Sequence, residues 1–350
     1  GRPIHDARFK KAPTSKIPGE QTEAYQPDFN LPEMFLKSTF SKNDVTDISE
    51  NQKKNVLLKI KSSNFGFFEP PVLNGSITLF GVGGGAQWTG ASLNYDQSTI
   101  FIPSTQSPWQ IMLNYIDLKS SERDFSNIKG HNLYQLNCAS CHGAQRQGNY
   151  TSDGGFFSPT LVGVSFLKKQ EELSSIENFK KKHEDFLSSN DVKKITAKKL
   201  DSITKYISKI DHIINDENNF GISGFWRRLF DNKMCPGSKP PWLFLTALNL
   251  KTGKIIWRYN DPIKSYFNED QTCKEIPQHG FTMSTAGKIV FSIFGNRIKA
   301  HDADNGDILW SYELDEKLSA PPSTYEIDEV QYITFVSSHT NNNITTFRLN

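Results

Sequence analysis

Leu133-Tyr-Gln-Leu-Asn-Cys138-Ala-Ser-Cys141-His142-Gly143 separates two kinds of sequence. Cys-x-x-Cys-His is the attachment signature of a c-type haem. Two thiols three residues apart on a helical turn can each form a thioether with one haem vinyl group. The adjacent histidine then reaches the iron as proximal ligand. Leu133, Tyr134 and Leu136 supply a helical lead-in, and Gly143 follows the histidine. A bare C-x-x-C also occurs in dithiols and zinc sites, but zinc needs a second pair nearby. Cys235 and Cys273 lie far downstream and have no metal spacing. The reading is haem c, covalently held by Cys138 and Cys141, with His142 on the iron.

Around this motif, from about Phe125 to Ile214, strand signals stop and lysines become dense. Leu200, Ile203, Ile207, Ile210 and Ile214 recur at three- and four-residue steps, the apolar face of a helix. This stretch is the size of a small haem domain. Lys180, Lys181, Lys182, Lys193, Lys194, Lys198 and Lys199 form either a solvated face or a patch for an acidic electron-transfer partner.

On the N-terminal side, Pro3, Pro13, Pro18, Pro27 and Pro32 make residues 1 to about 50 an irregular, turn-rich connection. Asn64–Pro71 and Ile77–Phe80 read as short strands, and Ala91–Asn94 with Thr99–Ile102 as a hairpin. Gly81 to Gly90 is glycine-rich, but it lacks the Lys-Ser/Thr of a phosphate loop and no helix follows. Beside Trp88, those glycines suit a close approach of backbone to something flat.

On the C-terminal side the chain repeats. Ala247-Leu-Asn-Leu-Lys-Thr-Gly253-Lys-Ile-Ile-Trp257 and Ala300-His-Asp-Ala-Asp-Asn-Gly306-Asp-Ile-Leu-Trp310 align in frame, their tryptophans 53 positions apart. Strand, tight glycine turn and second strand ending in Trp make the outer half of a propeller blade. Two copies cannot close a ring of roughly four to eight blades. The expected fold is mainly β with an α insertion: an incomplete β-propeller carrying a helical cytochrome c domain. Residues 1–124 form its first part with the irregular connection, 125–215 the cytochrome c domain, and 216–350 the C-terminal blades.

The net charge of +2 gives no argument for nucleic acid, and no apolar run approaches the ~18 residues of a membrane span. Gly1–Lys10 has no apolar core of a signal peptide. A c-type haem is normally attached outside the cytoplasm, so a periplasmic or otherwise extracytoplasmic location is expected, with any export signal upstream or removed. In such a compartment Cys235 and Cys273 either form a disulfide or stay as two buried thiols.

Many ordered landmarks resemble the quinoprotein dehydrogenases that use pyrroloquinoline quinone (PQQ), nearest to the glucose-dehydrogenase-like branch. Ile17-Pro-Gly-Glu20-Gln-Thr22 with Gln26-Pro27 resembles its "VPGE-x-T…QPF" connection. Phe68-Glu-Pro-Pro71, Gly83-Gly-Gly-Ala-Gln-Trp88 and Ser107-Pro-Trp109 are similar to "F-T-P-P-S", "GGANWGG" and "LPW". Cys235, Lys239-Pro-Pro-Trp242 and Thr246–Gly253 follow "C…KPPWG…L-A-DL-TGK". Thr285–Phe291 and Ala320–Glu326 with Gln331-Tyr332 echo "TAGGLVF" and "ATPMTYE…QY".

The resemblance implies PQQ and calcium as further cofactors and oxidation of an alcohol or sugar. Electrons would then pass through the haem to a respiratory acceptor such as a cytochrome or a quinol-linked complex. It also implies a partner chain, because the family's catalytic aspartate and quinone-binding lysine precede the turn at which this sequence starts. Trp88 is the one residue here placed close to the quinone, or else it packs a blade. Two landmarks differ: Ile102-Pro103-Ser104-Thr105 replaces "V-N-x-N", and Ser337–Asn343 replaces "AGGHG". A second reading is therefore a non-catalytic electron-transfer or scaffold subunit that has lost the quinone site. In the family's cytochrome, "G-K-G-x-M-P-x-F" supplies a methionine. Ile176–Phe186 fits that frame with His183 at the sulfur's position, and no methionine lies between Met112 and Met234. The resemblance thus gives His142/His183 ligation, with His131 and His212 as competitors. The alternative is a surface His183 and a sixth position left open or taken by Lys or water. Pro159-Thr-Leu161 matches the loop whose proline carbonyl holds the proximal histidine.

Overall fold

A computed structural model describes residues 8–28, 33–61, 63–66, 68–82, 85–86, 89–150, 157–183, 194–274, 276, 280–337 and 343–348. The proline-rich start is less irregular than its composition suggests. β1 (Arg8–Lys11) pairs antiparallel with β2 (Tyr25–Asp28), and Pro27 sits within the short ladder. A helix that the periodicity did not reveal follows. In α1 (Glu50–Lys59) the Ser49 hydroxyl accepts from Gln52 N at 3.3 Å, an N-terminal cap. α1 buries little beyond Val56, which joins Ile60, Phe40, Val45, Phe80 and Leu229 in one cluster. The strand expected over Asn64–Pro71 shrinks to β3 (Ser63–Asn64). Phe68 has φ 53°, and Pro70 and Pro71 lack the N–H that a ladder needs.

β4 (Gly75–Phe80) lies beside β3, and β5 (Ser92–Asn94) and β6 (Thr99–Thr105) form the expected hairpin. The chain then leaves that hairpin. β7 (Pro108–Asp117) pairs with β4, and the helical unit follows: α2 (His131–Asn137), α3 (Ala139–His142), β8 (Asn149–Tyr150), β9 (Phe157–Ser158), α4 (Val164–Leu167), α5 (Gln170–Ser174), α6 (Ile176–His183) and α7 (Ala197–Asp216). β10 (Phe220–Arg228) returns against β7 over nine residue pairs, from Phe220↔Asp117 to Arg228↔Trp109. β11 (Leu243–Asn249) then pairs with β6, and β12 (Ile255–Asn260) closes the blade in the order β5-β6-β11-β12. Residues 106–242 are therefore an excursion between the second and third strands of one blade. The helical unit is a second excursion nested inside it.

α7 turns the apolar stripe of Leu200, Ile203, Ile207, Ile210 and Ile214 inward against Tyr134 and Val164. Each such buried aliphatic side chain contributes about 1.5–3 kcal/mol. Thr196 caps its first turn, accepting from Lys199 N. The unit is fixed to the sheet at the far end of the hairpin. Arg123 lies between Asp117 at 3.1 Å and Glu217 at 2.6 Å. Asn74 donates to Val162 O and accepts from Tyr115 N.

The sheet β3-β4-β7-β10 buries a polar face. Ser76, Thr78, Gln110, Asn114 and Arg227 are all buried, and Arg227 Nε and Nη2 donate to Gln110 Oε1.

Two further sheets complete the propeller-type arc. β13 (Gly280–Ser284), β14 (Ile289–Phe294), β15 (Arg297–Asp302) and β16 (Ile308–Glu313) form a four-stranded meander. β17 (Ser323–Ile327), β18 (Val330–Val336) and β19 (Ile344–Arg348) form a three-stranded one. Both repeat copies fold as expected, as the hairpins β11/β12 and β15/β16. Facing strands of successive blades interlock in register. Trp257 stacks on His301, Tyr259 contacts His301 and donates to Asp261, and Asp261 accepts from Lys299 at 3.2 Å and from Arg297. Burial and the adjacent Asp261 charge push the Tyr259 hydroxyl pKa well above its ordinary value. No helix among the described residues is long and apolar enough to cross a membrane.

Cys235 and Cys273 form a disulfide across 38 positions, beside buried Trp242, Tyr266 and Phe294. Closing a loop of that length stabilises the fold by about 4 kcal/mol in the chain-entropy description. Replacing both cysteines by serine should lower the denaturant midpoint by an amount corresponding to roughly 2–4 kcal/mol. An unchanged midpoint would show that the bridge contributes nothing to this fold.

Candidate functional site

The Cys-x-x-Cys-His stretch is built as a helix, a kink and one more turn. Gly130 starts α2 at φ 102°, where a Cβ would lie 2.6 Å from Ser202 O and 2.7 Å from Tyr206 Cβ. Only glycine lets α2 cross α7 so closely. Cys138 N donates to Tyr134 O, and His142 N donates to Cys138 O, each at 2.8 Å. Gly143, at φ 80°, ends the turn, and buried Tyr134 donates its hydroxyl to Gly143 O at 2.7 Å. Cys138 and Cys141 are not bridged. Burial, with the neighbouring Cys141, pushes the Cys138 thiol up to about 12.

His142 and His183 stand together, their ring centroids 6.2 Å apart and their planes at 66°. His142 Nδ1 lies 2.8 Å from the Pro159 carbonyl, with Ser158 Oγ at 3.1 Å. A carbonyl can only accept, so Nδ1 carries the proton and Nε2 keeps a lone pair. His183, the last residue of α6, repeats the arrangement: Nδ1 donates to Phe179 O at 2.8 Å, and the ring stacks on Phe179 at 4.2 Å. Burial lowers the pKa of both imidazoles, opposed by the hydrogen bonds to Pro159 and Phe179. Two neutral rings, each with Nε2 unused, are chemically a ligand pair for one metal ion.

The competing histidines are engaged elsewhere. His131 Nδ1 is 3.0 Å from Tyr206 Oη, and His212 donates to Ser208 O and lies against Phe166. Lys180, Lys181 and Lys182 are exposed on α6, while Lys193 and Trp88 lie outside the described residues. Among the described residues no group of three or more His, Cys, Asp or Glu side chains could hold a metal ion.

Sequence reasoning missed the node that fixes the loops around His142. Asp211, fully buried on α7, accepts from Arg146 Nη1 at 2.7 Å, Gly163 N at 3.0 Å, and Ser165 N and Oγ at 3.2 and 2.7 Å. Arg146, at φ 66°, accepts on its carbonyl from Leu161 N and Thr160 Oγ1. The segment after the haem motif, the Pro159 loop and α7 thus meet at one carboxylate. An acid between Ile210 and Ile214 on the apolar face was the available signal.

Comparison with known proteins gives two family matches. The glucose/ethanol/alcohol dehydrogenase β-propeller family of the PQQ class matches residues 1–155 and 174–333, and cytochrome c matches residues 128–211. Quinoprotein glucose dehydrogenase A of Acinetobacter calcoaceticus is 28% identical over 109 residues, which is 29% of this chain and 14% of that one. Quinohemoprotein alcohol dehydrogenase ADH-IIG of Pseudomonas putida is 37% identical over 92 residues, covering 25% and 12%. Among solved structures, quinohemoprotein alcohol dehydrogenase from Comamonas testosteroni aligns at 15% identity with a TM-score of 0.31. That alignment covers 73% of this chain and 22% of that one. The chain spans about one-seventh of the length of the curated relatives it matches.

Asp211→Ala should leave the buried Arg146 guanidinium uncompensated and cost about 3–5 kcal/mol. Lys205→Ala, which opens the exposed Lys205–Asp201 pair, should cost at most about 1 kcal/mol. Urea denaturation of the two variants checks the contrast, and equal losses would remove Asp211 from its role as the node.

Proposed function

This chain belongs to the glucose/ethanol/alcohol dehydrogenase β-propeller family and carries a cytochrome c domain, and from that premise we propose that it is the haem-carrying part of a PQQ-dependent alcohol or sugar dehydrogenase. The observation that supports this most is the pairing of His142 and His183 beside Cys138 and Cys141. Two imidazoles sharing one metal at about 2 Å per bond leave their centroids roughly 6 Å apart, and these stand at 6.2 Å. The residues present therefore fit haem c. Cys138 and Cys141 would hold it by thioethers, and His142 and His183 would supply imidazole nitrogens to its iron. The Pro159 carbonyl fixes the ring of His142, and Phe179 holds that of His183. Bound there, haem c supplies a one-electron couple.

In this reading substrate is oxidised on a partner chain that carries the rest of the propeller, with its aspartate, its lysine, the quinone and calcium. Residues 125–215 hand electrons on to a respiratory acceptor, a cytochrome or a quinol-linked complex. The disulfide and the thioether motif support a periplasmic or other extracytoplasmic location. A second reading, an electron-transfer or scaffold subunit without a quinone site, draws on β6. Ile102, Pro103, Ser104 and Thr105 stand where the family has "V-N-x-N", and all four are buried in the blade.

Natively isolated protein, given PQQ, calcium and a panel of alcohols and aldoses, should show substrate-dependent reduction of its haem absorption bands. Reduction by dithionite alone would favour the second reading. His183→Met should raise the haem midpoint potential, since Met/His ligation raises it. A potential unmoved by that change would remove His183 from the iron.

A further inference from the structure

One loop of the helical unit, residues 159–163, holds the proximal histidine at one end and meets the blade at the other. Pro159 O accepts from His142 Nδ1 at 2.8 Å. Three residues on, Val162 O accepts from Asn74 Nδ2 at 2.8 Å. Gly163 then packs against Tyr115 of β7, so close that a Cβ would lie 2.4 Å from the ring. Arg146 O and Asp211 fix the same loop from inside the unit, accepting from Leu161 N and Gly163 N. Asn74 and Tyr115 fix it from the blade.

The backbone and both ends of the Asn74 amide are committed to this contact. Its φ is 51°, in the left-handed region that asparagine enters at lower cost than most side chains. β4 stops at the Gly75↔Leu113 pair, and the Asn74 side chain carries the ladder one step further by accepting from Tyr115 N at 2.9 Å. An N–H only donates and a carbonyl only accepts, so Oδ1 faces Tyr115 and Nδ2 faces Val162. The amide thus joins β7 to the haem unit. The Tyr115 ring extends the contact through Phe220 at 5.2 Å, which in turn meets Phe166 of α4 at 5.6 Å.

The two histidines differ in this respect. α6, which carries His183, makes its outward hydrogen bonds to α5 and to Ser175 beside it: Asn178 with Ser175 Oγ and Glu172 O, and Lys182 with Glu172. Among the described residues none of them reaches the sheet. His142 is therefore the side joined to the blade by an unbroken run of peptide and hydrogen bonds. Electron tunnelling weakens far more steeply across open gaps than along such bonds.

We infer that Asn74 and Tyr115 are the contact at which electrons from the propeller enter the haem unit, on the His142 side, with Asn74 as the positioning residue. This rests on the proposed function, which supplies the haem and the electrons. The side of His183, where Lys180 and Lys181 are exposed, is then left for their exit.

Two substitutions, made in the native host and isolated with the assembly, test the contact. Asn74→Gly keeps the left-handed backbone and removes both side-chain bonds. Asn74→Asp keeps an acceptor for Tyr115 N and removes only the donor to Val162 O. In both, substrate should reduce the haem at least about tenfold more slowly, the scale on which outer partners of a metal-bound histidine act. Dithionite should still give the full reduced spectrum. Hydrogen exchange supplies a readout independent of turnover: the amides of Leu161 and Gly163 should exchange faster in both variants, and that of Tyr115 in Asn74→Gly alone. An unchanged reduction rate, or unchanged exchange at Leu161 and Gly163, in either variant overturns the contact. A wild-type Asn74→Asp would show that Asn74 serves only the strand ladder. If substrate reduces the haem of the unsubstituted protein in those cases, only the contact falls. A haem that substrate never reduces in the unsubstituted protein overturns the contact and the proposed function together.

Discussion

The blade β5-β6-β11-β12 can close only if the chain, leaving at Thr105, comes back at Leu243 one strand spacing away, about 4.8 Å. Everything between must begin and end at neighbouring points. The structure meets this constraint twice, first with β6 and β11, then with β7 and β10 inside the excursion. Loop-closure entropy grows only logarithmically with length, so a long excursion costs little more than a short one. What it needs is two strands that find each other, and the nine pairs of the β7–β10 hairpin provide that. The disulfide from Cys235 to Cys273 ties the returning limb to the segment after β12.

Buried polar groups recur wherever one unit is fixed to another. Asp211 joins three segments around His142. Asp261 joins two blades by accepting from Tyr259, Tyr266, Lys299 and Arg297. Within the sheet that carries the helical unit, Gln110 on β7 joins the strands themselves, donating to Ser63 Oγ on β3 and accepting from Arg227 on β10. Apolar stripes alone would permit sliding between these units. A carboxylate or amide with several fixed donors permits one arrangement, because displacement leaves groups unpaired at about 1–3 kcal/mol each.

The features legible in the sequence were those whose signal is local. The haem motif, the stripe from Leu200 to Ile214 and the Gly-to-Trp repeats each fit within some twenty residues, and each has its expected form. α1 escaped notice because only Val56 and Gln52 of its ten residues are buried, too few to leave a period. The β1/β2 hairpin was hidden by Pro13, Pro18 and Pro27, which restrict the backbone but do not forbid a four-residue ladder. The nesting of one sheet inside another was beyond reach. Nothing in Thr99–Thr105 says that its partner lies at Leu243–Asn249 rather than next in line. At the site, His183 came from a family frame, while Arg146 and Asp211 take their meaning only from the fold that brings them together.

The hairpin β7–β10 has a consequence for how such a chain could arise. Asp117 and Phe220 are paired neighbours, so the whole helical unit enters and leaves through two adjacent points. A gene segment encoding it could be gained or lost in one event, with a simple turn left in its place, and no other pairing in the sheet would need to move. Transplanting a redox group onto an existing barrel of blades then requires no redesign of the recipient, only a surface hairpin long enough to be cut at its tip.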